Sequence, residues 1–165
     1  MAVLTILTGD QPILRQQAKK VGKVDKSIQK LLDDMLETMR AAPGVGLAAN
    51  QVGRLLRVIT VEVEDDVTYQ LVNPEIVSSD GDVVIEEGCL SLPGYYADVH
   101  RPAKVVVKAL TRNGKSIRIN ADGMLARVLQ HEIDHLNGIL LIDRLASLND
   151  LRYVSPEQEA EELKV

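Results

Sequence analysis

Phenylalanine and tryptophan are absent from these 165 residues, and tyrosine occurs only four times. The core must therefore be aliphatic, and aromatic platforms for stacking nucleic-acid bases are disfavoured. A single cysteine, Cys89, cannot form an intramolecular disulfide, which fits a reducing compartment. Basic residues are not in surplus: 19 Lys and Arg face 24 Asp and Glu, a formal net charge of -5. That balance argues against broad attraction to nucleic acid or anionic membranes. No apolar run approaches the roughly 20 residues that span a bilayer. Residues 1–10 lack the basic start and long apolar stretch of a secretory signal, and their alternation reads as a short strand. A cytoplasmic protein is the expectation; the mature form of an organellar import would read the same way.

What is present reads as one domain over residues 1–165, large enough to bury a core. Residues 26–40 place Ile28, Leu31, Leu32, Met35, Leu36 and Met39 at helical spacing. Asp25 is a candidate N-cap, and Pro43-Gly44 should end the helix. Residues 57–63 and 68–77 are rich in Val, Ile and Thr and read as strands, with Asp80-Gly81 turning into another at 82–86. Val105, Val107 and Ala109 share one strand face, and Asn113-Gly114 signals a hairpin returning through Ile117 and Ile119. A last helix should run from Asp122 to Gly138, with Leu125, Val128, Leu129 and Leu136 as its apolar stripe. The fold class is α+β, with antiparallel sheets packed around this helix and an N-terminal packing helix beside them. Residues 146–165 read as an acidic, mobile tail, most of all Pro156 to Glu162.

The apolar stripe of the last helix runs into His131, Glu132 and His135. Burying a carboxylate and two imidazoles in aliphatic packing is costly unless they serve a polar site. The pattern is H-E-x-x-H, which sets two imidazoles on one helical face, able to share one metal ion. Glu132 is then placed to take a proton from water at that metal. A catalytic site normally needs a third protein ligand. The position three residues past Gly138, where one class of proteases has a third His, is Leu141. Glu157 and Glu159 fall in the acidic tail, a poor place for a precise ligand. Cys89 remains, a soft and strong donor for divalent iron or zinc, with Gly88 allowing close backbone approach. A further stretch, Gly44-Val45-Gly46-Leu47-Ala48-Ala49-Asn50-Gln51, does not match a phosphate-binding loop. Its Gln51 can offer an uncharged donor to a developing oxyanion.

Three segments together resemble the peptide deformylase family: G-x-G-x-A-A-x-Q at Gly44 to Gln51, E-G-C-x-S at Glu87 to Ser91, and H-E-x-x-H at His131 to His135. The likeness extends from Pro12-Ile13-Leu14-Arg15 to Ile142-Asp143-Arg144-Leu145. It implies Cys89, His131 and His135 as metal ligands, and Glu132 as general base and acid. Gln51 and the backbone N–H of Leu90 are implied as oxyanion donors. Val45, Gly46, Gly88, Tyr96 and Val128 are implied as substrate-binding residues. The implied reaction is metal-dependent removal of the formyl group from formyl-methionyl peptides, with release of formate. The cofactor would be one divalent ion, iron(II) in the cell, with zinc, nickel or cobalt able to replace it. Arg127 stands where many bacterial relatives carry an apolar residue, and Tyr95-Tyr96 where others carry an Arg. The acidic tail is unlike the basic C-terminal helix with which some relatives dock on the ribosome, so ribosome binding should be weak or absent.

Two other functions fit parts of the pattern. One is a zinc endopeptidase using a downstream Glu; the other is a peptide-binding homologue without turnover. A structural metal site is disfavoured, because three ligands beside a carboxylic base leave a coordination position open.

Overall fold

The computed structural model describes residues 2–155. Helix α1, Lys26–Ala41, starts where the Asp25 carboxylate accepts from the Ile28 amide at 3.1 Å, capping an otherwise unpaired donor. Helix α2, Gly123–Leu136, ends just before Gly138, whose φ of 72° turns the chain away. Seven strands follow in chain order: β1 Gly46–Ala48, β2 Val58–Glu64, β3 Val67–Asp80, β4 Val83–Cys89, β5 Leu92–Arg101, β6 Lys104–Leu110 and β7 Ser116–Ala121. A short β8, Arg152–Tyr153, closes the series. All named strand pairs are antiparallel.

Five strands form one sheet in the order β1-β2-β3-β6-β7, and three form another in the order β4-β5-β8. Alternation along the strands sorts the large sheet's residues onto two faces. Leu47, Val58 and Val72 join Leu32, Met35 and Met39 of α1 in one buried cluster. Ala48, Ile59, Leu71, Val105 and Val107 join Ala126, Leu129, Ile133 and Leu136 of α2 in the other. Both faces are thus covered, which is why Val58 to Val61 are buried without a break.

The far side of α2 meets the small sheet through polar groups: Arg127 donates to the carbonyls of Ile85 and Val99 at 3.0 and 2.8 Å. Every residue of α2 from Ala126 to Leu136 is buried. The helix that carries H-E-x-x-H is therefore the filling between two sheets.

Four details depart from the reading of the sequence. Residues 2–8 join no strand ladder; Leu4 and Ile6 pack against the α1 cluster, and the Leu7 amide donates to the Gln51 carbonyl at 2.7 Å. Their alternation reflects packing, not pairing. Strand β4 does not return against β3: after Gly81 the chain crosses to the other sheet. Strand β5 has no counterpart among the strands expected from the sequence. The segment 146–155 includes β8, docked on β5, so this part of the expected mobile tail is ordered structure. Pro156 to Glu162, with Glu157 and Glu159, lie outside the described residues.

Candidate metal centre and cleft

Three elements meet at the centre. His131 and His135 project from adjacent turns of α2, and Cys89 ends β4 where the pairing register with β5 shifts. The Cys89 Sγ lies 3.2 Å from His135 Nε2, which lies 3.3 Å from His131 Nε2. Among the described residues these three form a group able to hold a metal ion. Tetrahedral coordination at ordinary bond lengths sets such donor atoms about 3.3–3.6 Å apart, so the donor set fits a single zinc- or iron-sized ion.

The outer atoms of these side chains are also arranged. His131 Nδ1 sits 2.9 Å from Glu87 Oε1, so that nitrogen donates to the carboxylate and Nε2 turns its lone pair inward. Glu87 is held in turn by Arg101, through Nε at 2.6 Å and Nη2 at 2.9 Å. Arg101 Nη1 reaches Asp134 at 2.9 Å, and Arg144 grips the same carboxylate at 2.7 and 3.0 Å. The Arg127 guanidinium is also buried, with Nη1 3.1 Å from Glu87. Arg127 points inward and lines the cleft. Charged groups so placed are tolerated because each faces an opposite charge.

Glu132 is buried, and its Oε1 has no hydrogen-bond partner in the protein. Burial pushes its carboxyl up to about 7. Such a group can both take and return a proton near neutrality. Gln51 is fixed by its own loop: Oε1 accepts from the Ala48 amide at 2.9 Å. Its Nε2 is thereby aimed at Ser91 Oγ, 3.1 Å away, and Cys89 Sγ, 3.7 Å away. Gly46 lets β1 pass against α2, since a Cβ there would stand 2.5 Å from Glu132 Oε2 and 2.7 Å from Val128 Cγ1.

These groups open into a cleft of about 920 Å³. Its lining includes Val45, Gly46, Gln51, Gly88, Cys89, Leu90, Tyr96, Val128, His131 and Glu132. Of the metal, catalytic and substrate-binding candidates named from the sequence, His135 alone is missing from that lining, and it is fully buried. What sequence reasoning missed is the supporting set: Arg101, Asp134, Arg144 and Ser91. Glu87, Ser91, Asp134 and Arg144 stood inside quoted stretches without a role; Arg101 gave no local signal.

The family model described as polypeptide deformylase matches residues 3–150. A peptide deformylase of Symbiobacterium thermophilum is 54% identical over 98% of this chain and 74% of its own length. One from Thermomicrobium roseum is 48% identical, covering 96% of this chain and 95% of its own. Among solved structures, a peptide deformylase from Ehrlichia chaffeensis in complex with actinonin superposes with a TM-score of 0.87 at 40% identity, covering 99% of this chain and 97% of that one.

Proposed function

The chain belongs to the polypeptide deformylase family, and from that premise we propose how its own residues carry out the reaction. The activity is metal-dependent hydrolysis of the N-formyl group of formyl-methionyl polypeptides, giving formate and a free amine. Cys89, His131 and His135 would hold a divalent ion, which supplies Lewis acidity that makes water nucleophilic at neutral pH and polarises the formyl oxygen. Glu132 takes a proton as water adds to the formyl carbon, then passes it to the departing nitrogen. Gln51 Nε2 and the Leu90 amide donate to the formyl oxygen as negative charge grows there. Glu87 keeps His131 in the tautomer that presents Nε2.

Val45, Gly46, Gly88, Tyr96 and Val128 border the substrate. The methionine side chain enters the apolar part of the cleft, while the free edge of β4 offers backbone groups to an extended peptide. A formyl carbon bears only hydrogen, so a narrow site excludes larger acyl groups by size; comparable turnover of an N-acetylated peptide would contradict this. The thiolate suits divalent iron or zinc; the family resemblance makes iron(II) the working ion, with zinc, nickel or cobalt as replacements. The protein is assigned to the cytoplasm, with no stable hold on membranes, on nucleic acid or, through its acidic C-terminal residues, on the ribosome.

The observation that carries the mechanism is Glu132: a buried carboxylate with a free oxygen, in a cleft, beside a Cys and two His donors. The test is formate release from formyl-Met-Ala-Ser by protein loaded anaerobically with iron(II). Glu132→Ala should retain the ion and lose about 10²–10⁴-fold in kcat. Undiminished turnover in that variant would sink the mechanism. Cys89→Ala should lose the ion; a zinc endopeptidase using a downstream Glu would keep it.

A further inference from the structure

The family match ends at residue 150, and the chain just beyond it turns back onto the small sheet. Arg152 and Tyr153 form β8 on the outer edge of β5, opposite Tyr96 and Tyr95. The Val154 amide donates to the Gly94 carbonyl at 2.6 Å. The rings of Tyr95 and Tyr153 meet with centroids 5.1 Å apart. Gly94 has a φ of 81°, and a Cβ there would stand 2.8 Å from the Tyr153 ring and 2.9 Å from the Val154 carbonyl oxygen. Arg152 pairs with Glu86 of β4 and with Asp98 of β5, the latter at 3.4 Å. Those two carboxylates are direct cross-strand partners.

The residues held from behind are residues of the cleft: Glu86, Gly94, Tyr95 and Tyr96 all line it. An isolated two-stranded hairpin is marginal, and like charges directly opposite across strands destabilise it. Here a third strand and one guanidinium answer both weaknesses. We propose that residues 152–154 are a positioning strap that sets peptide affinity. The strap holds the Gly94–Tyr96 wall in place, and Arg152 neutralises the Glu86 carboxylate at the rim, admitting acidic residues beyond the formylated one. The proposal rests on the deformylase reading and adds a specificity element beyond the residues that the family model spans.

The test uses full-length variants and two peptides, formyl-Met-Ala-Ser-amide and formyl-Met-Ala-Asp-amide. Replacing Arg152 and Tyr153 together by Ala should raise KM about fivefold, as expected for two lost cross-strand pairs, with kcat and metal content held. Arg152→Ala alone should raise KM more for the Asp peptide; adding Glu86→Gln should remove that difference, and Arg152→Lys should restore wild-type behaviour. Unchanged KM, or a kcat that falls together with metal content, would overturn the strap. Hydrogen exchange decides the same question without turnover: Tyr153→Ala should speed exchange at the Val154 amide and along Gly94–Tyr96, and unaltered protection would refute the proposal. A wild-type chain that released no formate would count against the deformylase reading, while the exchange result would still judge the strap.

Discussion

Burial works to raise the Glu87 carboxyl, yet hydrogen bonds from His131 and Arg101 outweigh it and hold the group at about 2. The folded value lies below the ordinary glutamate value of 4.5. Ionised Glu87 therefore stabilises the native state above pH 4.5, and that contribution is lost as pH falls toward 2. The gap corresponds to on the order of 3 kcal/mol. Denaturant unfolding of the wild type and Glu87→Gln should differ by a constant amount from pH 5 to 7, with the difference shrinking below 4.5. A difference independent of pH down to 2.5 would refute the assignment. The same variant should bind metal about 10–100-fold more weakly, read by competition with a chelator. Gln51→Leu should lose about 10²–10³ in kcat with little change in KM, because a donor to the developing oxyanion acts mainly in the transition state. At this scale the sequence was readable where chemistry follows local spacing, as in the two histidines four residues apart. It was opaque where an ion pair joins distant residues: nothing near Arg101 announces that it faces both Glu87 and Asp134, the latter 33 positions away.

Strand β1 runs so close to α2 that Gly46 is a steric requirement. Gly46→Ala should push Glu132 or Val128 aside and destabilise the fold by about 1–3 kcal/mol. Thermal melting and formate release should fall together; a variant with wild-type melting and turnover would show that β1 can retreat. The helices were legible because a 3.6-residue apolar period and their end signals agree. The β6–β7 hairpin was legible because Asn113-Gly114 demands a particular turn, and Gly114 does adopt a positive φ of 78°. Strand β5 was not legible: Pro93 and Gly94 stand near its start, and both residues are depleted in strands. Strand β8 was hidden within a polar stretch whose order comes from docking onto β5.

Across the whole molecule, the two aliphatic clusters lie on opposite faces of the five-stranded sheet, and each is built from apolar side chains contributed by helix and sheet. Chelation should accordingly lower the melting midpoint by mass action while leaving far-UV circular dichroism at 25 °C intact. Global unfolding on chelation would show that the ion is structural. The division of the strands into two sheets was beyond sequence reading, because the same alternation of residues fits several strand orders.

The donors Cys89 and His135 stand 46 positions apart and come from different layers. That separation has a consequence in time. A chain under synthesis presents the thiol early, on a strand whose buried face has nothing yet to pack against. Neither imidazole is available until α2 has emerged and wedged itself between the sheets. Arrested nascent chains that stop before His131 should therefore capture no metal, whereas chains that have released residue 136 should. A protein whose substrates are new N-termini would gain its own reactivity only as its own synthesis nears completion.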